Sequence, residues 1–220
     1  MDLDAKQIKS AVKAFTETIA VKLKLLRELI PRDADFTNTA LTGAFVEEMT
    51  RGFVQSWIGD SFLLHGMLVS ESEIADATAS GSTRPMALQI DGIVYDPKKG
   101  PLILREGDFI AVSPDFIRGV IEIKMSEAPS VLSHRLKNIY QRYIDGCVGF
   151  PAVMGVIVAS KDPEAMARVT GEGLRPWHEI HKAGHHPVFV LFKENDNGTF
   201  EPNEPAIYDL VRMIYSRINC

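Results

Sequence analysis

The sequence predicts an α/β fold, a mostly central mixed β-sheet flanked by helices, in one domain over residues 1–220. Three observations carry this expectation. Helical periodicity opens and closes the chain. Runs of branched apolar residues crowd its middle. No stretch is long or flexible enough to separate two domains.

Residues 4–30 place Ile8, Val12, Phe15, Ile19, Leu23, Leu26 and Ile30 at helical spacing, and Pro31 stops the run. The stripe is narrow and acids lie among the lysines, so it reads as a helix (1–30) packing on the core or on a partner subunit. Residues 32–39 are polar and turn-rich. A second helix is expected over about 42–58, with Phe45, Met49, Phe53 and Trp57 on one stripe. Strands follow at 62–70, 86–95, 102–104, 109–112 and 117–125, with a polar loop over 71–85. A helix is expected at 130–145 and a buried strand at 152–160. Residues 162–183 read as helical with a break at Arg175–Pro176, 186–193 as a strand, and 204–218 as the last helix.

Composition narrows the function. Apolar residues make up 45% and charged residues 24%, enough for a real core. No run reaches the length of a membrane span, and the second residue is already charged, which argues against a secretory signal. Cys147 and Cys220 make no disulfide framework, so a reducing cytoplasmic setting is expected. The net charge of −5 argues against a coat protein living on non-specific duplex affinity, but leaves room for an enzyme with a local basic groove.

The chemistry lies in two strands that carry charge where a core strand should not. "QIDGIVYD" (89–96) contains Asp91, and "GVIEIKMS" (119–126) contains Glu122 and Lys124. Alternation places Val120, Glu122 and Lys124 on one face, and Asp91 with Gln89, Ile93 and Tyr95 on another. Buried carboxylates need an ion partner, hydrogen bonds or a metal. Two readings stand: Lys124 pairs with one acid while the other faces water, or the acids form a hard-oxygen site for Mg²⁺ with a lysine beside it. The turn signals "DPKKGP" and "VSPD" between them make a meander that brings Asp91 next to Glu122.

The span "LQIDGIVYD…PLIL…VSPDFIRGVIEIKMS" resembles the PD-(D/E)XK, or restriction-endonuclease-like, superfamily, and within it the NucC-like group of anti-phage effector nucleases. The likeness covers residues 86–126 closely and the helices more loosely. It implies a restriction-endonuclease-like sheet and a Mg²⁺-dependent DNA endonuclease, with Mn²⁺ as substitute. Asp91 and Glu122 would be metal ligands with the Ile123 carbonyl, and Lys124 would be catalytic. A helix carboxylate from "AFVEEMTRGFVQSWI" would complete or orient the site, and Glu48 is chosen over Glu47 for its apparent inward face. The resemblance also implies a homo-oligomer, specifically a trimer, and activation by cyclic tri-adenylate. The chain departs from the group at the end of the second helix, where it reads "QSWIGD". A restriction or repair nuclease without a second messenger, or a nucleic-acid-binding scaffold of the same fold, are the alternatives.

Other signals carry less. His178, His181, His185 and His186 lie within nine residues, but no cysteine is near and such spacing arises by accident. Cys147 reads as a small, mostly buried residue. The basic residues Arg135, Lys137 and Arg142 read mostly as a solvated helix face.

Overall fold

The computed structural model describes residues 5–29, 38–70, 73, 88–145, 147, 151–161 and 187–218. Among them the chain runs α1 (Ala5–Leu29), α2 (Asn38–Gln55), β1 (Phe62–Leu68), β2 (Gln89–Tyr95), β3 (Leu104–Glu106), β4 (Phe109–Val112), β5 (Ile117–Lys124), α3 (Pro129–Ile139), β6 (Ala152–Ser160), β7 (Val188–Glu194), β8 (Phe200–Pro202) and α4 (Glu204–Met213). α3 and α4 each continue into a wider π-helical turn, Tyr140–Ile144 and Ile214–Ile218. The short strand β8 was not foreseen: three residues after an Asn/Gly turn are too few to show a period. The loop expected at 71–85, Glu73 apart, and the helical region expected at 162–183 lie outside the described residues.

The eight strands form one sheet in the order β3-β4-β1-β2-β5-β6-β7-β8. It is mixed, as the sequence predicts. β5, β6 and β7 run parallel, while β2 lies antiparallel to both β1 and β5. β6 is buried along its whole length, which accounts for its unbroken apolar run "AVMGVIVAS".

Helices cover both faces. On one, Ile8, Val12, Ile19 and Leu23 of α1, Val46, Phe53 and Val54 of α2, and Ile207, Leu210 and Val211 of α4 share a core with Ile121 and Ile123 of β5. On the other, Leu132, Leu136 and Ile139 of α3 pack with Val120, Val153 and Ile157. Gly155 of β6 permits this second contact. A Cβ there would lie 2.7 Å from Cδ2 of Leu132, so the glycine lets α3 settle close to the sheet.

Two bulges break strict alternation in the charged strands. Against β1, β2 steps from Ile90 to Ile93 while β1 steps only from Gly66 to Leu64. The extra residue falls at Asp91–Gly92. Against β2, β5 carries its own extra residue at Arg118, between Ile117 and Gly119. Ile90 therefore joins Ile93 in the α3-side core, where simple alternation places Gln89. Bulges turn side chains out of the regular pleat, and here one turns at Asp91.

Candidate active site

β2 and β5 pair from Tyr95–Ile117 up to Gly92–Ile121. Beyond that point the backbone ladder gives way to a side chain: the Ile123 amide donates to Oδ2 of Asp91 at 2.9 Å. The same Oδ2 accepts from Nζ of Lys124 at 2.8 Å. Lys124 also lies 3.5 Å from Oε2 of Glu122. The structure thus brings Asp91, Glu122 and Lys124 together, thirty residues of sequence notwithstanding. Lys124 touches both acids, and neither carboxylate is turned to water: Glu122 is fully buried and Asp91 is 6% exposed.

Glu122 is the most unusual group of the three. Arg135, reaching in from α3, puts Nε 2.7 Å from Oε2 of Glu122. That distance makes an ion pair, but the N–H does not point along it, and neither Glu122 oxygen receives a directed hydrogen bond. Burial therefore pushes the Glu122 carboxyl up to about 7, and the Asp91 charge adds to the rise; Arg135 and Lys124 offset part of it. Burial pulls the Lys124 ammonium down, but the Asp91 hydrogen bond and the two carboxylate charges outweigh it and hold Lys124 above its ordinary value. Lys124 is a firm cation.

On α2 the structure reverses the expected facing of the two acids. Glu48 is turned outward, its side chain 72% exposed, and pairs with Arg51. Glu47 is the residue whose side chain is half-buried toward the site: burial raises its carboxyl and the nearby Asp91 charge raises it further. The reason is helix phase. Residues spaced by four drift about 40° per step around a helix of 3.6 residues per turn. Phe45 and Met49 line a groove of about 590 Å³ against α1, where Phe15 stacks on Phe53 at 3.6 Å. The face toward the sheet is Val46, Thr50 and Val54, with Glu47 beside it.

Arg51 was missed. Its Nη1 donates to the Asp91 carbonyl at 3.1 Å, pinning the bulge that aims the carboxylate. The signal lay in the spacing Glu47, Glu48, Arg51, one acid four and one three residues before an arginine. Arg135 also leaves the solvated helix face on which the sequence had placed it. Arg142 pairs with Glu73, tying the segment after β1 to the turn that continues α3.

The histidines between 178 and 186 lie outside the described residues. Burial, with Asp115 beside it, pushes the Cys147 thiol up to about 11, which makes it no nucleophile near neutral pH. Among the described residues no three His, Cys, Asp or Glu donors converge as a ready-made metal cage. Two hard carboxylates, one with both oxygens buried and without a directed hydrogen bond, still fit a Mg²⁺-type cation, which is usually held by one or two carboxylates with water and substrate oxygens completing its shell. No described helix is long and apolar enough to cross a membrane.

No family model and no curated protein matches the chain. Solved structures do. NucC of E. coli MS115-1 in its cAAA-bound form superposes with a TM-score of 0.56 over 98% of this chain and 90% of that one, at 15% identity. NucC of P. aeruginosa ATCC27853, also cAAA-bound, gives a TM-score of 0.57 over 99% and 93%, at 12% identity. The likeness establishes that this chain has the NucC fold, as the resemblance over residues 86–126 implied.

Proposed function

We propose that the protein is a Mg²⁺-dependent endonuclease that hydrolyses phosphodiester bonds of DNA as an effector of anti-phage defence. The observation that carries this reading is Glu122: a fully buried carboxylate without a directed hydrogen bond, beside Asp91 and 3.5 Å from Lys124. A core strand gains nothing in stability from such a group. A hard cation gives it a purpose.

Asp91 and Glu122, with the Ile123 carbonyl, would hold Mg²⁺ or Mn²⁺. A cation held there would supply Lewis-acid activation of water and of the scissile phosphate. Lys124 is a compact, protonated point charge between the two acids, suited to stabilising negative charge that develops on phosphate oxygens. Arg51 fixes the Asp91 backbone so that its carboxylate keeps its aim. Glu47 stands where it orients the site from α2.

The shared fold with two cAAA-bound NucC structures supports activation by a cyclic oligoadenylate. Assembly into a homo-oligomer, a trimer, belongs to the same reading and comes from the family resemblance of residues 86–126. The deciding experiment incubates the protein with plasmid, linear duplex and RNA, with Mg²⁺ or EDTA, and with or without cyclic tri-adenylate. The reading expects duplex degradation only with metal and strong stimulation by the cyclic nucleotide. Cleavage in EDTA contradicts the metal site. Metal-dependent cleavage indifferent to micromolar cyclic oligoadenylates contradicts the second-messenger step alone.

A further inference from the structure

The charged groups facing Glu122 come from three elements: Asp91 on β2, Lys124 on β5 and Arg135 on α3. Glu47 and Arg51 of α2 act on Asp91 instead. Lys124 is already committed, since its ammonium is 2.8 Å from Asp91 and only 3.5 Å from Glu122. The close counter-ion of Glu122 is therefore Arg135, at 2.7 Å.

Three features make that contact exchangeable. The Arg135 N–H is misaligned with the carboxylate, so charge holds the pair and directed bonding does not. The Arg135 side chain is 40% exposed while its partner is fully buried, so the arginine can withdraw into water and the carboxylate cannot. Among the described residues its other anchor is a hydrogen bond from Nη2 to the Gln89 carbonyl, at 3.2 Å. Leu132, one turn before it, and Leu136, the next residue, are locked in the core, so the backbone of α3 stays in place when the guanidinium leaves.

We propose that Arg135 is an internal counter-ion that occupies Glu122 in the metal-free protein, and that a divalent cation binds by displacing it. Arg135 is a positioning residue: it holds Glu122 in place until the metal arrives, at the cost of competing with it. This inference rests on the metal-site reading above and adds a competitor to it.

The test is calorimetric titration of the metal-free full-length protein with MgCl₂ alone at pH 8.5, where proton competition for Glu122 is weak. Wild type, Arg135→Gln and Arg135→Lys are compared, with circular dichroism confirming that each is folded. Removing one positive charge beside the site should tighten Mg²⁺ binding at least about tenfold in Arg135→Gln, a modest share of what a unit charge at this range can exert. Arg135→Lys keeps the charge and should stay within about threefold of wild type. Equal or weaker binding by Arg135→Gln, with wild type binding normally, overturns the competition and leaves the metal site standing. No Mg²⁺ binding by any of the three overturns both.

Discussion

Replacing Glu122 by glutamine should make the metal-free protein more stable while destroying its activity. Burial and the Asp91 charge raise the Glu122 carboxyl from 4.5 to about 7. An acid with a raised folded value holds its proton more tightly when folded. Stability therefore falls as pH climbs from the unfolded value toward the folded one, and the whole penalty is in place above it. A rise of this size corresponds to a cost on the order of 3 kcal/mol at pH 8, shrinking to below about 1 kcal/mol at pH 5. Glutamine keeps the shape and drops the charge, though it leaves Arg135 without its counter-ion. The Arg135 side chain is 40% exposed and can turn to water, so the expected net gain is about 1–3 kcal/mol at pH 8. Urea unfolding of both proteins in EDTA at pH 5 and pH 8 measures it. The reasoning fails if the variant is less stable at pH 8, or if the gap between the two proteins is the same at both pH values.

Three further outcomes follow from the geometry. Glu47→Gln should slow metal-dependent cleavage by about tenfold or more, the scale of groups that orient a metal site, while Glu48→Gln stays near wild type; steady-state rates on plasmid distinguish them. Gly155→Ala forces a methyl group against Leu132 and should cost about 1–3 kcal/mol in denaturant unfolding. Asp96 is buried, yet the Lys98 amide and the Arg118 guanidinium at 2.8 Å hold its carboxyl below its ordinary value. A depressed acid stabilises above its unfolded pKa and loses that contribution as pH falls through its folded value, so Asp96→Asn should cost about 2 kcal/mol at pH 7 and progressively less in strong acid.

Much of the fold was legible because β6 and β7 announce themselves as continuous apolar runs and α1 and α4 as periodic stripes with clear stops. Asp91, Glu122 and Lys124 were legible for a different reason: charge in a strand that is otherwise fully apolar costs stability and asks for an explanation. The helix residues were not. Choosing between Glu47 and Glu48 needs the phase of α2 relative to two neighbours at once, and the Phe45–Met49 stripe belongs to α1 and not to the sheet. The bulges at Asp91–Gly92 and Arg118 were equally hidden, because each depends on the register between two strands. Arg135 lay in an amphipathic helix, where an arginine on a polar face carries no mark of the carboxylate it will meet. The acids before Arg51 marked a charged cluster but not the Asp91 carbonyl it reaches.

The most direct measurement is cleavage of plasmid DNA by wild type, Asp91→Ala and Glu122→Ala, each with Mg²⁺ and with EDTA, in the presence and absence of cyclic tri-adenylate. The account predicts metal-dependent degradation by wild type and none by either variant, with all three equally folded by circular dichroism. Undiminished cleavage by Asp91→Ala or Glu122→Ala would contradict it.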